Sequence, residues 1–209
     1  RAYAPVARDA AKQAVEPEDV NLALLEVIEP GKVPWAEFYF FLDRYLLRKE
    51  ILHPTTEHIV KDFGPRSHVF QVADATLLQQ WAALKDNADY GVLYEAWDKY
   101  LRIVYGTSLA DEELFVRHTY LATLAKLMVW ERLANRAGHP TEREIVAILE
   151  GGYFREHLGI ENFLEEDFFS WVARKEARKA GVAVAGLLLE LLRNYNLREI
   201  SEDVLKALY

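Results

Sequence analysis

Five stretches of this chain hold residue types at spacings that could do chemistry. In HPTTEH, His53, Glu57 and His58 are ligand types for a divalent metal. His53 and Glu57 straddle the start of a helix and no fourth ligand accompanies them, so surface and capping roles fit better and no metal site is assigned. Arg132 and His139 are separated by six residues at the end of a long helical segment, a spacing that helical ribonucleases can use, but the flanking polar residue is missing. In RKEARKAG, Arg174 and Arg178 are four apart, as are Lys175 and Lys179. On a continuous helix all four cations share one broad face. That face is a candidate contact for DNA phosphates, weighed against an ordinary solvated surface with Glu176 beside it. In GIENFLEEDFFSW, Phe163, Leu164, Phe168, Phe169 and Trp171 alternate with Glu161, Glu165, Glu166 and Asp167. An apolar edge must be anchored while an acidic one stays wet, and Phe163, Phe168, Phe169 and Trp171 are candidates for docking another domain. Finally, His118 lies one turn from Leu114 and from Leu121 and Ala122, so the spacing predicts a buried, hydrogen-bonded histidine.

Much other chemistry finds no residues to carry it. The 209 residues contain no cysteine, which excludes disulfides, thiolate metal sites and a cysteine nucleophile, and fits a cytoplasmic protein. Neither G-x-G-x-x-G nor G-x-x-x-x-G-K occurs, and there is no N/D-P-P-Y/F loop. The net charge of -8 is spread over both halves and opposes nucleic-acid binding by bulk electrostatics, while leaving room for a local basic face. The most apolar run, AGVAVAGLLLELL, is interrupted by Glu190 and falls short of the roughly 20 residues that a bilayer requires. The expectation is a chain without a membrane span.

These residues need elements to hold them, and the apolar spacing is helical nearly throughout. The expected fold is all-α, a compact multi-helix bundle. Helices are predicted within Pro5–Val15 and Pro17–Ile28, and a third, mostly core, over Trp35–Leu47 with Trp35, Phe38, Leu42, Tyr45 and Leu46 on one face. A short helix ends at Gly64-Pro65, Ser67 starts the next, and Gly106 stops the one after it. Residues 111–138 form the longest, central helix. Thr141 with Glu144 reads as a capping box, and Gly151-Gly152 breaks the helix that follows. Ser201 caps a last helix in which Val204, Leu205 and Leu208 are still spaced helically at Tyr209, and the chain begins without Met, so a longer protein is expected. The domain reading is connecting helices over 1–34, a helical domain over 35–200, and 201–209 leading onward.

Three segments in order, DEELFVRHTYLATLAKLMVWERLA, GIENFLEEDFFSW and ISEDVLKALY, together with IVKDFGPRSHVF, resemble a known family. They are similar to the helical region immediately upstream of the amino-adenine DNA methyltransferase domain in large, fused, single-chain bacterial restriction-modification enzymes. The likeness runs from about residue 35 to the end. It implies a non-catalytic spacer and coupler between an upstream nuclease, in some members also a translocase, and a methyltransferase that uses S-adenosylmethionine. None of that family's catalytic residues falls on this chain, so no catalytic role is carried over. The resemblance implies DNA, the adjacent methyltransferase domain and a nuclease domain as partners. Packed helices hold a separation between two such domains better than a flexible linker does. The rival readings are a stand-alone helical ribonuclease using Arg132 and His139, and a helical protein-interaction module.

Overall fold

A computed structural model describes residues 2–7, 20–26, 28–29, 31–42, 51–107, 110–133, 140–161, 168–200 and 205–208. The chain divides into two compact units, Arg1–Ile51 and Leu52–Tyr209. In the first unit β1 (Ala2–Ala7) pairs antiparallel with β2 (Val20–Glu26), Ala4 opposite Ala23 and Pro5 opposite Leu22. This corrects the expectation of a helix within Pro17–Ile28; of the helix expected within Pro5–Val15, residues 5–7 are strand and 8–15 lie outside the described residues. Val20, Leu22 and Leu24 do alternate with Asn21 and Ala23, but over too short a run to outweigh the helix propensity of Leu, Ala and Glu; strand pairing decided the matter. Both strands are edges, which is where a proline such as Pro5 is tolerated.

Helix α1 (Trp35–Leu42) follows. Among its described side chains Phe41 is buried, whereas Trp35 is 71% exposed and Tyr39 is exposed too. The sequence reading had put Trp35 in the core. With five aromatics in eight residues the apolar arc runs nearly all round, so spacing cannot set its phase. Tyr45 and Leu46 lie outside the described residues.

The second unit is all-α among its described residues: α2 (Thr56–Phe63), α3 (His68–Leu84), α4 (Ala88–Tyr105), α5 (Glu112–Leu133), α6 (Glu142–Leu149), α7 (Gly152–Leu158) and α8 (Arg178–Leu192). Their ends are where cap chemistry puts them. Ser67 Oγ accepts from Phe70 N at 3.0 Å, Asn87 caps α4, and Gly106 closes it in the left-handed conformation at φ 75°. Thr141 and Glu144 form the reciprocal capping box, and Gly151 separates α6 from α7. Short 3-10 turns cover Ser170–Ala173, Leu197–Glu199 and Lys206–Leu208.

Helix α5 is the centre, packed on α3, α6 and α8, while α3 and α8 also meet each other. It buries Phe115, Val116, Tyr120, Leu124, Leu127, Met128 and Trp130. Lys126 is buried there as well, its ammonium donating to the carbonyl of Leu149 at 2.7 Å. That places a cation at the negative end of α6, where it is favoured. Tyr120 donates to the Phe63 carbonyl at 2.7 Å, tying α2 to the core, and burial raises the Tyr120 phenol well above its usual range. The segment around Ser170–Ala173 crosses α8 at Gly181. A Cβ there would lie 2.2 Å from the Val172 carbonyl oxygen, so only glycine allows this approach.

Candidate interaction surfaces

The basic turn is built outward from Trp171. Its side chain is 0% exposed, its indole N–H donates to Thr119 Oγ1 at 2.9 Å, and its ring lies 5.4 Å from Trp81. Thr119 in turn donates to the Phe115 carbonyl at 3.0 Å. Trp171 is thus a core residue and cannot dock another domain, which corrects the expectation that grouped it with the docking aromatics. Its burial pins the following residues to α5. The chain then turns through 174–177, where Ala177 is buried, and α8 begins only at Arg178.

RKEARKAG is accordingly a turn followed by the first helical turn, not one helix with a stripe of four cations. Arg174 is half-buried; it donates to the Asp89 carbonyl at 2.5 Å, and its guanidinium sits 5.6 Å from the centre of the Tyr90 ring. Its own carbonyl accepts from the amides of Ala177 and Arg178. Tyr90 donates to the Glu176 carboxylate at 2.8 Å. Burial, and then this carboxylate, push the Tyr90 phenol up to about 12, and the same hydrogen bond holds Glu176 below the usual carboxylate value. Arg178 Nε donates to the Ala173 carbonyl at 3.3 Å. Arg174 is therefore an anchor between the turn and α4, while Lys175, Arg178 and Lys179 are exposed. No carboxylate stands in the first turn of α8 to offset them.

The docking aromatics also end up divided. Phe163 lies outside the described residues. Phe169 is half-buried, with its ring 5.7 Å from Phe115 and 5.9 Å from His118. Phe168 is half-buried too, 6.0 Å from Tyr100. Tyr100 belongs to a surface that the sequence reading missed. The inner face of α4 buries Tyr90, Trp97 and Leu101, but Val92, Tyr100, Ile103, Val104 and Tyr105 on the same helix are exposed, Ile103 by 74%. A signal was present, since large apolar residues occur on every side of this helix, more than one packed face can use.

His118 is half-buried rather than enclosed, edge-on to Trp97 at 5.5 Å and to Phe169. Burial pulls its imidazole below the usual histidine value, as expected of a ring held neutral among aromatics. His53 Nδ1 pairs with Glu199 at 2.5 Å, His58 donates to the His53 carbonyl at 3.0 Å, and Glu57 is exposed. These histidines hold the chain to itself, and no group of three metal-ligand side chains occurs among the described residues. Arg132 is exposed at the end of α5, and His139 lies outside the described residues. No described helix is long and apolar enough to cross a membrane. No protein-family model, curated protein or solved structure matches this chain.

Proposed function

We propose that this chain is a non-catalytic helical coupling segment of a restriction-modification protein, positioning an S-adenosylmethionine-dependent adenine methyltransferase relative to an upstream nuclease. The observation that carries this reading is the second apolar face of α4. A helix that already contributes Tyr90, Trp97 and Leu101 to the core exposes five more large apolar side chains, and Phe168 from the acidic-aromatic segment lies beside one of them. Contiguous exposed apolar surface of this kind marks a contact site for another folded body. In the proposed parent that body is the adjacent domain, and the docking role expected of Phe163, Phe168, Phe169 and Trp171 passes to Tyr100, Ile103, Val104 and Phe168.

The resemblance supports the same reading. The first of its three segments is α5, the centre of the bundle, and the second runs into the Trp171 anchor. Lys175, Arg178 and Lys179 are the exposed cations of the basic turn, and in the parent they contact the phosphates of DNA passing between its active domains. The reading frame beyond Tyr209 tests the whole proposal: a glycine-bearing cofactor loop and an N/D-P-P-Y/F motif are expected, and a stop codon just after Tyr209 overturns it. The DNA contact has its own test in a salt titration of binding by the intact parent. Replacing Lys175 and Lys179 by alanine is expected to lower the slope of log affinity against log salt by roughly 2, at about 0.9 per phosphate contact, with sequence preference unchanged. Equal slopes leave the turn as ordinary surface.

A further inference from the structure

We propose that a second copy of this chain packs antiparallel on the side of α4 turned away from the core. Val92, Ala96, Lys99 and Ile103 follow one another at intervals of four, three and four residues, so they form a single row along the helix. At about 100° per residue the row lies opposite Tyr90, Trp97 and Leu101, the side chains by which α4 enters the core. All four residues of the row are exposed, Val92 by 56% and Ile103 by 74%. The docking patch of Tyr100, Val104 and Phe168 lies along one flank of this row, and Ile103 borders both.

The spacing is that of a two-helix seam, and the row is complementary to itself when one helix is reversed. A two-fold axis passing between Trp97 and Asp98 sets Val92 against Ile103 of the second copy, and Ala96 against Lys99 of the second copy. Ala96 is small enough to let the helices approach, and the Lys99 stem lies across it while the ammonium reaches water.

Charge decides the direction. In an antiparallel seam the residues just before its central positions face each other along one edge, and here those are Glu95 and Arg102. Glu95 of each copy then meets Arg102 of the other, twice by symmetry. Glu95 is exposed, and the Arg102 side chain is still 60% exposed although it pairs with Asp98 of its own helix at 2.7 Å. A parallel pair instead sets Lys99 against Lys99 and leaves Glu95 beside Tyr100, so neither charge is matched.

The net charge of -8 makes two copies repel in bulk, so association depends on this local match. One pair of helices buries less than the roughly 1,200 Å² of a stable interface, which makes the dimer weak and reversible. The pairing does not rest on the coupling reading: the reading frame tests that one, and self-association tests this one.

Sedimentation equilibrium of the 209-residue chain at physiological ionic strength is the experiment. A reversible monomer–dimer equilibrium is expected within a concentration series reaching roughly 1 mM. Glu95→Arg and Arg102→Glu are each expected to weaken it about tenfold, because two symmetry-related attractions become repulsions. An equimolar mixture of these two variants is expected to recover the dimer, since each supplies the charges that oppose those of the other. Ile103→Ser, which leaves the seam's charges alone, is expected to weaken dimerisation by at least the same factor. A chain that stays monomeric overturns the proposal. So do dimers indifferent to both charge variants, and variants that stay monomeric when mixed.

Discussion

Helices α4 and α5 are neighbours of similar length, and both are rich in aromatic and aliphatic residues, yet they do opposite things with them. Helix α5 buries seven large apolar side chains, Phe115, Val116, Tyr120, Leu124, Leu127, Met128 and Trp130, and even Thr119 and Lys126 find hydrogen-bond partners inside. Helix α4 has one packed face, through Trp97 against Phe115 at 5.2 Å and Tyr94 against Trp81 at 6.0 Å, and a second that is left exposed at Ile103 and Val104. The difference teaches that apolar content does not locate the core. Neighbours on two or more sides turn apolar content into stability, and the same content with a neighbour on one side is left available to another molecule.

The largest expected effect that would sharpen this contrast is at Phe115, which is fully buried and 4.6 Å from the Trp81 ring. Phe115→Ala should cost about 3–5 kcal/mol in denaturant unfolding, and Trp97→Ala on the inner face of α4 a similar amount. A loss under about 1 kcal/mol at either site would show that this aromatic cluster is not the centre. Next comes Tyr120→Phe. It leaves the buried Phe63 carbonyl without its donor and should cost about 1–3 kcal/mol.

His118, between the two helices, gives a smaller effect with a definite sign. Its folded pKa lies below the ordinary histidine value, so the unfolded chain binds more protons in the window between them. Its contribution is fully present above about pH 6.5 and is lost as pH falls towards the lower folded value. Asp74 and Glu131, both raised by burial, act the other way because the folded chain holds their protons more tightly. Comparing the wild type with His118→Gln across this range isolates the histidine. A stability difference that does not change with pH would show the ring to be solvated. The smallest effect is expected on the outer face of α4, where Ile103→Ser should change stability by no more than about 0.5 kcal/mol. A loss above about 2 kcal/mol would mean that this face is covered within the chain itself.

The end signals of the second unit were legible because capping is local. Ser67, Gly106 and the Thr141–Glu144 pair act on backbone groups within a few residues, so their meaning survives whatever the rest of the chain does. Periodicity picked out α5 as the central helix for the same reason. The phase of α1 was not legible, since an eight-residue aromatic run presents no polar face to fix it. Nor was the strand pairing of 2–7 with 20–26, which depends on a partner outside any local window.

What the sequence by itself determined is the helical character of α2 to α8, the cap positions, and the lack of cysteine chemistry and glycine-rich nucleotide loops. Only tertiary structure decided that Trp171 is core, that the basic run is a turn before it is a helix, that Arg174 is tied to Asp89 and Tyr90, and that Leu52 meets Tyr195. The physical reason is reach. Caps and helical spacing act over one turn of chain, whereas burial and long-range hydrogen bonds depend on which segment arrives from elsewhere: Thr119 to meet Trp171 from 52 positions away, Asp62 to meet Tyr195 from 133.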